Sequence, residues 1–159
     1  MHCGSTAQME LDMLQVKDIM TQDVYVLHAG DNLDLVQTLV KSQHTRYIPI
    51  VDRKGSFVGL ITHRDLLSLT VSRLAAGGNT GHGGLNGHTP VRKVMQEGIM
   101  TADPEMNLFV ALSIFLKNPV GCLPVVSKKK LVGILTEADF LQLTYHYLRF
   151  FENEESFIV

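Results

Sequence analysis

Apolar and polar positions along this chain follow one pattern, and follow it twice. In the first stretch Val24-Tyr25-Val26-Leu27 reads as a short strand. Gly30-Asp31-Asn32 then supplies a helix start, with Asp31 or Asn32 as the cap. Leu33, Val36, Leu39 and Val40 fall on one face of the helix that follows. Tyr47-Ile48-Pro49-Ile50-Val51 is a strand whose proline places it at an edge or an irregularity. Asp52-Arg53-Lys54-Gly55 is a turn, 57–61 its hairpin partner, and Thr62 caps a second helix over roughly 63–74. The second stretch predicts a strand near 99–102, a helix over about 107–117, strands over 122–126 and 131–135, and a helix over about 137–151. The order is β-α-β-β-α, twice, which is an α/β (α+β) chain.

The residues repeat as well as the pattern. Val16-Lys17-Asp18-Ile19-Met20 returns as Val91-Arg92-Lys93-Val94-Met95, 75 positions later. Phe57-Val58-Gly59-Leu60-Ile61-Thr62-His63-Arg64-Asp65 returns as Leu131-Val132-Gly133-Ile134-Leu135-Thr136-Glu137-Ala138-Asp139, 74 positions later. Ile48-Pro49-Ile50-Val51 matches Leu123-Pro124-Val125-Val126, and one residue is lost at the turn after Val126. A unit that recurs only twice implies two halves sharing a core, with function where they meet. This divides the chain into an arm over 1–15, a repeat over 16–74, a linker over 75–90, a repeat over 91–151 and a tail over 152–159. The helix over 108–116 is apolar nearly all round. Leu108, Ala111, Leu112 and Phe115 can face its own core, which leaves Phe109, Val110 and Leu116 for a partner. A homodimer through this helix and its counterpart over 33–43 is therefore expected, with Tyr147, Phe150 and Phe151 as a second candidate surface.

Composition narrows the function classes. The net charge is −2, and 19% of the 159 residues are charged, so no nucleic-acid binder is expected. Lys128-Lys129-Lys130 reads as a solvated turn. Cys3 and Cys122 do not form a disulfide framework, and two free thiols fit a reducing compartment. There is no signal-peptide pattern and no apolar run long enough for a bilayer, so the expected location is the cytoplasm, without a membrane. The seven histidines are dispersed and no metal is predicted. The Gly-rich linker carries His82 and His88 but neither a P-loop nor a dinucleotide fingerprint.

Gly59-x-x-Thr62-x-x-Asp65 and Gly133-x-x-Thr136-x-x-Asp139 stand at the same strand-to-helix junction. The plain reading is a capping box, in which threonine takes an N–H of the first turn and aspartate complements the helix dipole. The functional reading is a nucleoside phosphate site. A helix start offers N–H groups and a hydroxyl to phosphate. Aspartate accepts from a ribose diol, and glycine admits a flat base. His63 and Arg64 follow Thr62 and meet phosphate charge, whereas Glu137 follows Thr136 and opposes it. No nucleophile, base and orienter come together, so no enzyme is expected.

The repeated order, the Ile-Met-Thr opening, the Ile-Pro-Ile-Val strand and the Gly-x-x-Thr-x-x-Asp ending resemble a tandem pair of cystathionine-β-synthase (CBS) domains, over about 16–143. The resemblance implies a stand-alone, bacterial-type Bateman module whose repeats pack with pseudo-twofold symmetry. It implies two clefts for adenine nucleotides (AMP, ADP or ATP) and a regulatory role toward a protein partner it does not identify. Carried over by position, one cleft takes Thr136 and Asp139 with Thr21, Val26, Arg46 and Tyr47. The other takes Thr62 and Asp65 with Gln96, Thr101, Gly121 and Cys122. The alternatives are an interaction scaffold with empty clefts, or a pair that senses S-adenosylmethionine or NADH.

Overall fold

A computed structural model describes residues 13–75 and 87–155. His82, Cys3, most of the arm, most of the linker and the end of the tail lie outside the described residues, as does the side chain of Phe151. In chain order the elements are α1 (Val16–Ile19), β1 (Leu27–His28), α2 (Leu33–Gln43), β2 (Tyr47–Val51), β3 (Phe57–Thr62) and α3 (His63–Ala75). A 3-10 turn at Val91–Lys93 opens the second repeat. There follow α4 (Leu108–Lys117), β4 (Cys122–Ser127), β5 (Lys130–Thr136) and α5 (Glu137–Glu155). The mixed α/β order is present in both repeats. No helix among the described residues is long and apolar enough to cross a membrane.

The residues divide into two compact units that do not coincide with the two repeats. The first-repeat unit takes 23–75, 87–99 and the hairpin tip 128–131. The second-repeat unit takes 13–22, 100–127 and 132–155. Each repeat therefore gives its opening segment to the unit built around the other repeat. A single shared core was expected, but the buried residues form one cluster in each unit. Leu27, Leu33, Val36, Ile48, Ile50, Ile61, Leu66 and Val91 make the first. Val16, Ala102, Ala111, Phe115, Leu123, Val125 and Leu135 make the second. Val91 and Val16 are fully buried, each as the opening residue of the repeat that did not build the unit. The exchange is driven by ordinary apolar burial, worth about 1.5–3 kcal/mol for a valine of this kind.

In the first-repeat unit the sheet runs β1-β2-β3. β2 and β3 are antiparallel, with Pro49 opposite Leu60. Leu60 turns its own N–H and C=O away from β2, to Gln96. Pro49 therefore occupies a non-hydrogen-bonded pair and its missing N–H costs no ladder bond there. β1 reaches only Ile50 and Val51, in parallel, so among the described residues nothing pairs beside Pro49 on the other side. This also explains why the strand expected over 24–27 shrinks to Leu27–His28. In the second-repeat unit the strand expected near 99–102 reduces to one parallel bridge, Ala102 to Val125. Asn107 caps α4 by accepting the N–H of Phe109 at 2.9 Å, whereas neither Asp31 nor Asn32 caps α2 through its side chain. Asp31 instead accepts the N–H of His28 at 2.7 Å.

Candidate nucleotide-binding residues

The two Thr-x-x-Asp motifs fold as caps, and each cap uses only half of its carboxylate. Asp65 Oδ2 accepts the N–H of Thr62 at 2.7 Å and the Thr62 hydroxyl at 2.8 Å. The Thr62 hydroxyl accepts the N–H of Asp65 at 3.2 Å, which closes the reciprocal box. Asp139 Oδ2 accepts the N–H of Thr136 at 2.6 Å and its hydroxyl at 2.8 Å. In both motifs Oδ1 points out of the cap. The threonine hydroxyl hydrogens are committed to the carboxylates, so a phosphate there draws one only if the hydroxyl turns.

The opening segments bring a third residue to each carboxylate. Thr21 and Ile134 exchange two backbone hydrogen bonds of 2.9 Å. Gln96 and Leu60 do the same, at 2.8 and 3.0 Å. These bridges set Thr21 beside Asp139 and Gln96 beside Asp65. The Thr21 hydroxyl lies 3.4 Å from Asp139 Oδ1. The Gln96 amide nitrogen donates to Asp65 Oδ1 at 2.7 Å. Asp139 is 8% exposed, whereas Asp65 is half-buried.

The motif glycines answer to this crossing. A Cβ on Gly133 would stand 2.8 Å from the Thr21 carbonyl oxygen and 2.9 Å from Met20 Sδ. One on Gly59 would stand 2.8 Å from the Gln96 carbonyl oxygen and 2.9 Å from Met95 Sδ. The close approach the sequence assigned to a base is made by the protein itself. Met20 and Met95 were not singled out as part of this arrangement, although their recurrence beside the opening segments was the available signal.

The remaining predicted residues divide between the units. Val26, Arg46 and Tyr47 belong to the first-repeat unit, and Thr101, Gly121 and Cys122 to the second-repeat unit. Arg46 is exposed and its carbonyl accepts the N–H of His63 at 2.9 Å. Tyr47 pairs with Thr62 across β2 and β3. His63 and Arg64 are exposed on the first turn of α3, and Glu137 and Ala138 on that of α5. Thr101 and Val26 are exposed, and Gly121 is half-buried. Cys122 is buried at the start of β4, and burial pushes its thiol up to about 12, so it is neutral. Among the described residues no group of three His, Cys, Asp or Glu could hold a metal ion.

Comparison with known proteins places this arrangement. The fold matches the crystal structure of a candidate acetoin utilization protein (AcuB) from Vibrio cholerae with a TM-score of 0.77 and 31% identity, covering 88% of this chain and 98% of that one. It also matches CBSX2, crystallised in complex with AMP, with a TM-score of 0.70 and 24% identity, covering 84% and 97%. The CBS domain-containing protein YhcV of Bacillus subtilis is 29% identical over 127 residues, 80% of this chain and 83% of its own length. The model of the CBS domain matches twice, at residues 16–72 and 91–145. With both repeats matched over most of its length, the chain belongs to the CBS-domain family.

Proposed function

We propose that this chain is a regulatory module that senses an adenine nucleotide (AMP, ADP or ATP) and alters the behaviour of a protein partner when occupied. The observation that carries this reading is Asp139. The residue is 8% exposed, one carboxylate oxygen is consumed by the cap, and among the described residues the other has only a hydroxyl neighbour at 3.4 Å. A carboxylate in that condition accepts hydrogen bonds and donates none, which suits a ribose diol. The start of α5 beside it supplies N–H groups for a phosphate. The fold shared with CBSX2, crystallised with AMP, supports the same ligand class.

The test is thermal unfolding with AMP, ADP and ATP, and with S-adenosylmethionine and NADH as competitors for the assignment. Ligand at a hundred times its dissociation constant adds about 2.7 kcal/mol per site. For a chain of this length that raises Tm by roughly 5–10 °C. No rise with any of these ligands at millimolar concentration overturns the sensor reading. A rise with S-adenosylmethionine or NADH alone reassigns the ligand.

The same module acts as a homodimer in this reading. Phe109, Val110 and Leu116 are 49, 52 and 78% exposed on α4. Beside them an apolar groove is lined by Leu14, Leu108, Phe109, Leu112, Phe140 and Leu143. Thr144 completes the groove's lining, and large exposed apolar side chains grouped on one helix are what soluble monomers avoid.

A further inference from the structure

The two carboxylates are not equivalent, and the difference lies in a residue the repeat does not conserve internally. Position 21 is threonine and its counterpart, position 96, is glutamine. Both are exposed, and both are fixed by the same pair of backbone bonds to β5 or β3. The longer glutamine side chain reaches Asp65 Oδ1 at 2.7 Å, an optimal length for an amide on a carboxylate. The shorter threonine leaves its hydroxyl 3.4 Å from Asp139 Oδ1, beyond the usual O–H···O range.

We propose that Gln96 is an internal competitor for the ribose position of Asp65, so that the chain takes one nucleotide, at Asp139, and Gln96 sets that stoichiometry. The inference rests on the sensor reading. A ligand at Asp65 must first displace a charge-assisted bond made within the chain. A ligand at Asp139 displaces almost nothing, and it relieves a nearly buried oxygen that is poorly satisfied. The residues after Thr62 do not reverse this order. His63 and Arg64 are exposed, and the attraction of the Arg64 guanidinium for phosphate is screened by salt. Glu137 at the start of α5 weighs against added phosphate charge, so AMP, with the least charge of the three nucleotides, is the probe.

Calorimetric titration with AMP at fixed ionic strength decides the matter. Wild type is expected to bind one AMP per chain. Gln96→Thr, which copies the residue found at the equivalent position, is expected to bind two, with affinity at the second site raised about tenfold or more. Gln96→Ala serves as the second variant, and circular dichroism checks that both are folded. Thr21→Gln is expected to weaken the wild-type site by about tenfold, by giving Asp139 the same internal partner. The inference is overturned if wild type binds two AMP, if both folded Gln96 variants still bind one, or if Thr21→Gln binds as wild type does. Those outcomes leave the sensor reading intact. Absence of binding in wild type and in every variant, with AMP, ADP, ATP and S-adenosylmethionine alike, overturns the sensor reading and the inference with it.

Discussion

Gly133→Ala separates two reasons for a glycine in the motif. If the glycine exists to admit a ligand's base, the added methyl lowers affinity and leaves the apoprotein as stable as before. The structure predicts the opposite order of effects. The new carbon would stand 2.8 Å from the Thr21 carbonyl oxygen, 2.9 Å from Met20 Sδ and 3.3 Å from Met20 Cγ. The methionine side chain can turn away, but the carbonyl oxygen is backbone. It accepts the N–H of Ile134 at 2.9 Å and is held by the reciprocal bond from Thr21. Relief to ordinary contact therefore shifts the opening segment by about half an ångström and stretches both bonds. Overpacking of this kind costs about 1–3 kcal/mol. In a chain of this length that lowers Tm by roughly 3–10 °C. Gly30→Ala is the control, because among the described residues nothing lies within 4 Å of a Cβ there. It should be neutral or stabilising by up to about 1 kcal/mol, through the unfolded chain. Urea unfolding without ligand, followed by circular dichroism, measures both variants. Equal midpoints for Gly133→Ala and Gly30→Ala would refute the crossing argument and return the glycine to the ligand.

Asp139→Ala removes the acceptor for the Thr136 N–H and hydroxyl, so it should cost about 0.5–2 kcal/mol of stability in urea even without ligand; an unchanged midpoint would mean that the cap contributes nothing. Lys128 and Lys129 stand at φ 49° and 67° in the β4–β5 turn, where Asn-Gly is favoured. Replacing the pair by Asn-Gly should add about 1–2 kcal/mol and raise Tm by a few degrees, and no gain in calorimetry would contradict the backbone strain. The Cys122 thiol keeps its proton to about pH 12 when folded, whereas the unfolded chain releases it near 9.0. It contributes nothing to pH dependence below pH 9, and above it stability falls by about 1.4 kcal/mol per pH unit. Urea unfolding at pH 8, 9 and 10 should show this extra loss in wild type and not in Cys122→Ala; parallel profiles would count against it. Phe109→Glu should convert a dimer of wild-type chains to monomers in light scattering; a monomeric wild type disproves the dimer, and a dimeric variant moves the interface off α4.

What the sequence made legible was local or repeated. Both hairpins, the four long helices and the two caps follow from periodicity and from Thr-x-x-Asp, whose partners lie three residues apart. The edge or irregularity expected of Pro49 takes another form: β2 is the middle strand and its register shift falls between Ile50 and Val51, while Pro49 pairs regularly with Leu60 and the pairing with β1 reaches only Ile50 and Val51. What was not legible depends on single bridges across long separations. Thr21 meets Ile134 and Gln96 meets Leu60 through one residue pair each, too short to leave a pattern. The same bridges give the glycines their neighbours and Asp65 its glutamine. Threonine at position 21 and glutamine at position 96 can be compared in the sequence, but side-chain reach decides the effect, and reach is visible only in three dimensions.

The exchange of opening segments bears on how the chain acquires its fold during synthesis. The second-repeat unit needs Val16 from near the start of the chain and Val125 and Leu135 from far along it. Val16 therefore leaves the ribosome more than a hundred residues before the surface that buries it exists. The apolar core of the first-repeat unit closes over shorter distances, with Val91 joining residues from 27 onward and only the hairpin tip 128–131 added later. Closing the longer loop costs only a little more entropy, since the cost grows with the logarithm of length. The delay is the larger effect, because contacts between distant residues slow folding and leave apolar surface uncovered meanwhile. The first-repeat unit is thus positioned to consolidate while the start of the chain still waits for its own core to be made.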